Sequence, residues 1–477
     1  MSRYPILVIA LVALLCGCVA NSPHRTDPTV WSPSACQRAT NMDTNSECRT
    51  HSIEKYSTKG DDYHLAFVEF DDQGWFYDPR QADALYKLLQ EEGQKSELLL
   101  FVYVHGWQHN ANYCDDNVCC FRDLMREMHE MEATVYNPIP RKQRRVVGIY
   151  LGWRGRSIEG GEVLQAPTFW ARKNAATKVA LGSAREVLSH LRVFYDDRHR
   201  DNVKRNEVDR RPPREMTRLI TLGHSFGGLV VYNAVSQALV NSAVGAQMSA
   251  GTRYGRFGDL VVLVNPAFEG TRYEVLHAAA AGIPHKTDGN LKDVAPPLSM
   301  IFTAKNDTAT GKAFPVGRHI SQLFDSYSKS PMGVDVRAWH TKAEEREANL
   351  NTVGHIPRYQ THKLAFSNED KIRGQEFFKS LKKRQESLCV CSYADQIRDL
   401  FSKKKRFKEI SSREATGSLP PQPVSAVVDG SLTSHTPFQV LEVDDHIVDG
   451  HNGFYSPAFL YYLQEVINKI AVHPATP

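Results

Sequence analysis

Leu219-Ile220-Thr221-Leu222-Gly223-His224-Ser225-Phe226-Gly227-Gly228-Leu229-Val230 is the stretch on which the reading of this chain turns. Leu219 to Leu222 form a short strand. Leu229, Val230, Ala234, Val235 and Ala238 then give the following helix a buried stripe. Between them, Gly223 to Gly227 spell G-x-S-x-G. A serine hydroxyl is a poor nucleophile unless it is held exposed beside a base. A tight strand-to-helix turn does this, and its glycines avoid clashes with the neighbouring strand and helix. The bare pattern also arises by chance, so an idle serine in a glycine-rich turn is the plainer alternative. The strand before it and the helix after it weigh against that, and Ser225 is expected to be a nucleophile.

Outward from this turn, strands and helices alternate. Leu98 to Val104 is a nearly unbroken apolar run, as in a strand buried on both faces of a parallel sheet. His64 to Phe70, Val146 to Leu151, Asp259 to Val264, Leu298 to Thr303 and Phe438 to Val443 read as further strands. Asp78-Pro79 offers an N-cap and a proline at the first helical position, before Leu85, Leu88 and Leu89. Phe121, Leu124, Met125 and Met128 recur at helical spacing. One long helix is expected from about Thr168 to Phe194, and Ser456-Pro457 opens a last amphipathic one. The pattern predicts an α/β fold with a mostly parallel central sheet and helices on both faces. Its core spans 61–310 and 438–477. Residues 311–437 break the pattern with mixed helical pieces, a basic run (Lys403 to Arg406) and a Ser/Pro-rich stretch at Pro420 to Pro423. They are expected to form an insertion, a candidate lid, and a linker. The basic run reads as a solvated helix face.

A nucleophile on such an elbow takes its partners in the order acid, then histidine. Asp307 stands just after the strand that ends at Thr303. Asp288 and Asp293 precede that strand and read as turn residues. After the last strand come His446 and His451. His451 lies in Asp449-Gly450-His451-Asn452-Gly453, whose glycines suit an imidazole held out over the sheet edge, and it is the expected base; His355, His362 and His435 are more distant alternatives. The oxyanion formed by attack needs two donors. One is the N–H of Phe226, directly after the nucleophile; the other is expected from Trp107, in the loop His105-Gly106-Trp107 after the early buried strand. His105 reads as a brace for that loop. Trp107, Trp153 and Phe226 are candidates to line an acyl pocket, although core packing explains the tryptophans equally well.

The chain has 477 residues, 42% hydrophobic and 23% charged, with a formal charge of +4. That charge is too small, and too little interleaved with aromatics, to suggest nucleic-acid binding. Residues 1–18 resemble a bacterial signal peptide: Arg3, an apolar run from Ile6 to Leu15, then the lipobox-like Leu15-Cys16-Gly17-Cys18. Cys18 is the candidate lipidation site, and Val19 after it suggests an outer-membrane lipoprotein of the cell envelope. Plain secretion or a retained anchor are the alternatives. Residues 19–60 read as a polar tether. Cys36 and Cys48 suit a disulfide closing a short loop. Cys119, Cys120, Cys389 and Cys391 lack zinc-site spacing, so no metal is expected.

Taken together, Tyr103-Val104-His105-Gly106-Trp107, Gly152-Trp153-Arg154-Gly155, Gly223 to Gly228, Val264-Asn265-Pro266-Ala267, Asn306-Asp307 and Gly450-His451-Asn452-Gly453 resemble the α/β-hydrolase superfamily. Among its members the chain is most similar to lipase- and esterase-like serine hydrolases. The resemblance covers roughly residues 63–310 and 438–470. It implies esterase or lipase chemistry through an acyl-enzyme, with Ser225, Asp307 and His451 as the triad and no metal or organic cofactor. A transacylase or peptidase would use the same groups, and a non-catalytic envelope scaffold is the rival from another class.

Overall fold

All seven residues of strand β4 (Leu98–Val104) are buried. Side chains alternate across a strand, so Leu99, Phe101 and Tyr103 enter one apolar core while Leu98, Leu100, Val102 and Val104 enter another. A sheet with a core on each face is the consequence. The computed structural model describes residues 19–32, 49–58, 61–135, 143–158, 168–209, 216–248, 256–283, 297–321, 342–365, 425–428 and 436–472.

The other strands are β1 (Asp27–Trp31), β2 (His51–Thr58), β3 (Asp61–Phe70), β5 (Arg145–Trp153), β6 (Arg218–His224), β7 (Leu260–Val264), β8 (Ser299–Ala304), β9 (His362–Ala365), β10 (Ser425–Val428) and β11 (Phe438–Val443). They join in the order β1-β2-β3-β5-β4-β6-β7-β8-β11-β9-β10. Every pairing from β3 through β9 is parallel, while β2 and β10 run antiparallel to their inner neighbours. The helices are α1 (Pro79–Lys95), α2 (Asp116–Val135), α3 (Phe169–Leu181), α4 (Ser183–Asp209), α5 (Phe226–Met248), α6 (Gly270–Ala281), α7 (Phe314–Ser321), α8 (Lys342–Leu350) and α9 (Pro457–Val472). Leu85, Val179, Leu188, Val231 and Leu276 bring α1, α3, α4, α5 and α6 onto one face. Phe121, Met125, Phe459 and Leu463 bring α2 and α9 onto the other. The chain is thus an α/β protein with a mostly parallel sheet between two helical layers. Asp78 caps α1 as expected, accepting the Arg80 N–H, with Pro79 in the first turn.

Three expectations need correction. The described parts of 19–60 are no tether, since β1 and β2 extend the sheet. Their cohesion is in large part ionic, beside the buried Trp31 and Ile53, which hid them in the sequence. Arg25 is fully buried, pairs with Glu54 at 2.8 Å, donates to the Ala111 and His51 carbonyls, and lies over the Phe67 ring. The buried Glu69 carboxylate takes the backbone N–H groups of His24 and Arg25. Second, the single helix over 168–194 is two helices broken at Gly182. A Cβ there would lie 2.3 Å from the Gly74 carbonyl oxygen, and the Ser183 N–H donates to that oxygen. Third, the segment 311–437 is in part core: β9 pairs with β11, β10 pairs with β9, and Val353, Ile356 and Tyr359 are fully buried. Cys18, Cys36, Cys48, Cys389, Cys391, Asp288, Asp293, His435 and the basic run at 403–406 lie outside the described residues.

Candidate active site

The parallel strands end at one rim of the sheet, and the chain turns sharply there after β6. Ser225 adopts φ 55°, a left-handed conformation that costs energy for any residue with a side chain. The turn is held by the Ser225 N–H donating to the Val264 carbonyl and by the Ser225 carbonyl accepting from Ala267. Only glycine fits at 227, where a Cβ would sit 2.0 Å from the Val104 carbonyl oxygen.

His451 comes to this turn from the loop after β11. Its Nε2 is 2.8 Å from Ser225 Oγ, and its Nδ1 is 2.9 Å from Asp307 Oδ2. The structure therefore brings together all three residues singled out from sequence. Asp307 Oδ1 accepts the N–H groups of Ala309 and Thr310, and Oδ2 also accepts the Thr310 hydroxyl. Burial pushes the Asp307 carboxyl up. The hydrogen bond and charge of His451, with the Thr310 donors, outweigh that and hold it at about 2. Asp307 is thus ionised at neutral pH and accepts from Nδ1–H, which leaves Nε2 free to accept the serine proton.

Three further residues orient the His451 loop. The Asn265 amide donates to the Gly450 and His451 carbonyls at 3.2 and 2.8 Å, while its oxygen accepts the Ala304 N–H. Asn306 donates to Asp449 and accepts the Gly450 N–H. His224 Nε2 donates to the His451 carbonyl, and its ring stacks on Phe454. Burial, with His451 beside it, holds the His224 pKa well below the ordinary value, so it serves as a neutral donor. Sequence reasoning gave these three no role. Asn265 and Asn306 stood inside recognisable motifs, but nothing local told which carbonyl or N–H they would meet.

His446 lies apart. It is exposed and bonds to Asp444 and Asp445 rather than to Ser225. Those three are also the one group among the described residues whose metal-ligand atoms gather within 4.8 Å, on the surface and outside the triad. His362 contacts Thr361.

On the other side of Ser225 runs the loop after β4. A Cβ on Gly106 would lie 2.8 Å from the Ser225 Cβ, so this loop passes directly over Ser225. The Trp107 N–H has no hydrogen-bond acceptor among the described residues. Phe226 is the first residue of α5, where N–H groups lack intrahelical acceptors. The loop is clamped from β5: Gln108 donates to the Gly155 carbonyl, and Gly155 donates to that of His109. His105 is a brace. Its Nδ1 donates to the Gly106 carbonyl, its Nε2 accepts the Trp153 N–H, and its ring stacks on Trp153. Burial lowers its pKa to about 4, in keeping with this neutral tautomer. Phe226 and Trp153 are core residues, 0% and 2% exposed. Trp107 is half-buried against Phe169, which itself meets Phe226. A small pocket lies elsewhere, between Val19, His24, Glu69, Tyr77, Trp153 and Arg154, and includes no triad residue.

Comparison with known proteins adds nothing to this picture: no family model, no curated protein and no solved structure matches the chain.

Proposed function

We propose that this chain is a serine hydrolase of the α/β-hydrolase type that cleaves carboxylic esters through an acyl-enzyme. One observation carries the reading: an imidazole within 3 Å of both a buried carboxylate and the hydroxyl of a serine whose backbone is strained. Ser225 Oγ attacks the acyl carbon while its proton passes to His451 Nε2. Asp307 remains ionised and stabilises the imidazolium through Nδ1–H. The oxyanion accepts the N–H groups of Phe226 and Trp107. The bond to the alcohol oxygen breaks, and the alcohol leaves with the His451 proton. Water then gives a proton to His451 as its oxygen joins the acyl carbon, and Ser225 recovers that proton as the acid departs. A transacylase would differ only in replacing water with another acceptor. A non-catalytic scaffold has no use for the strain at Ser225.

The substrate is a small-molecule or lipid ester, and the cell envelope is the proposed location, with Cys18 acylated. The residue after it, Val19, donates its N–H to the Ser157 carbonyl, and its own carbonyl accepts from Arg154. Both partners follow β5, whose end lies at the same rim as that of β6.

Labelling with a fluorophosphonate probe tests the activity. Wild type is expected to label, while Ser225→Ala does not. His451→Ala should lose labelling and ester turnover, and His446→Ala should keep both. A wild type that fails to label, or a Ser225→Ala variant that labels equally, ends the hydrolase reading.

A further inference from the structure

Asp307 is not the end of the hydrogen-bonded chain. The Thr310 hydroxyl, which donates to Asp307 Oδ2, lies 2.9 Å from His355 Nε2. A hydroxyl has one proton, and an ionised carboxylate only accepts. The Thr310 proton is therefore committed to Asp307, and the contact with His355 must be donated by the imidazole. We propose that His355 is a positioning residue for the acid of the triad: its Nε2–H donates to Thr310 Oγ1 and so fixes the Thr310 proton on Asp307. The inference rests on the hydrolase reading above and goes beyond it, giving the segment before β9 a task in the chemistry.

The surroundings are shaped for this contact. Residues 309–313 form a wide π-helical turn, a form that often marks functional positions. It folds Thr310 back beneath its own neighbour Asp307. A Cβ on Gly311 would press within 3.0 Å of the His355 ring. Gly354 lies so close to β8 that a Cβ there would be 1.7 Å from Thr303 Oγ1. The His355 N–H bonds to the Thr352 carbonyl, and the flanking Val353 and Ile356 are fully buried, so the ring is held from both sides in sequence. Without the His355 donor, the buried Thr310 oxygen loses a partner and its proton is free to turn away from Asp307. The carboxylate would then be less well fixed against His451 Nδ1.

The test is ester hydrolysis by the full chain with a soluble p-nitrophenyl ester. His355→Leu is expected to lower kcat about tenfold, the scale of one lost hydrogen bond, with KM within about twofold. His355→Gln places an amide N–H near the position of Nε2 and is expected to restore kcat to within about threefold of wild type. Thr310→Val should match His355→Leu, Thr310→Ser should stay close to wild type, and the His355→Leu/Thr310→Val double variant should be no worse than the poorer single one. Equal loss in His355→Gln and His355→Leu, or effects that multiply in the double variant, would overturn the proposal. If His355→Leu does not fold, the Thr310→Val and Thr310→Ser pair decides: equal rates sink the idea. A wild type inert to the fluorophosphonate probe would instead remove the hydrolase reading itself.

Discussion

Asp307→Asn probes the site most sharply, because an amide cannot replace this carboxylate in either orientation. Oδ2 meets two donors, His451 Nδ1–H and the Thr310 hydroxyl, and Oδ1 meets the N–H groups of Ala309 and Thr310. An amide NH2 on either side faces donors. Turned towards His451, it forces the imidazole to carry its proton on Nε2, where it can no longer accept from Ser225. A wrong tautomer in an otherwise intact triad costs about 10⁴-fold in kcat in serine proteases, and a loss of that order is expected here. Stability should fall as well. The carboxyl is fully buried and held at about 2 instead of the ordinary 3.8. At about 1.36 kcal/mol per tenfold change in proton affinity, this corresponds to about 2 kcal/mol. Because the folded value is depressed, that contribution is complete above the ordinary carboxyl pKa and fades as pH falls from about 4 to about 2. Steady-state ester hydrolysis at neutral pH and urea unfolding between pH 3 and 7 measure the two effects. An Asp307→Asn enzyme that keeps a tenth of wild-type kcat would refute the tautomer argument. An unfolding midpoint equal to wild type at pH 7 would refute the linkage argument.

Two other perturbations address the N-terminal segment. Arg25→Leu removes a fully buried cation that ties this segment to β2 and to the loop at Ala111. Since Arg122 still pairs with Glu54, the expected loss is near the low end for a broken buried pair, about 3 kcal/mol, read as a lower urea midpoint; an unchanged midpoint would show the latch to be idle. Cys18→Ala should abolish incorporation of labelled fatty acid in a bacterial host and release the protein from membranes, and persistent labelling would rule out Cys18 as the acylated residue.

The proposed triad was legible because each member obeys a rule that acts locally. Ser225 needs a strand, glycines and a helix in immediate succession; Asp307 needs only to follow a strand; His451 needs a glycine-flanked loop near the end of the core. The supporting residues follow no such rule. Asn265 and His224 act on the carbonyl of a residue about 190 to 230 positions away, and His355 acts on one hydroxyl, so their roles exist only once the sheet has closed. The buried strand β4 announced itself by seven consecutive apolar residues, whereas β1 and β2 did not. They are tied in partly through the buried Arg25, Glu54 and Glu69, and polar residues that find partners inside look, in sequence, like residues bound for water. The break at Gly182 was equally hidden, being set by the chain crossing at Gly74.

The place of β11 in the sheet has a consequence for the life of the molecule. It slots between β8 and β9, although both are synthesised before it. Until this keystone arrives, β9 has no parallel partner, and the imidazole that follows β11 has nowhere to dock. A chain cut short before Phe438 keeps its elbow serine but has no base to serve it. In the proposed hydrolase, activity would therefore report completion: unfinished copies would be silent, and turnover would begin only once the last strand had locked the sheet.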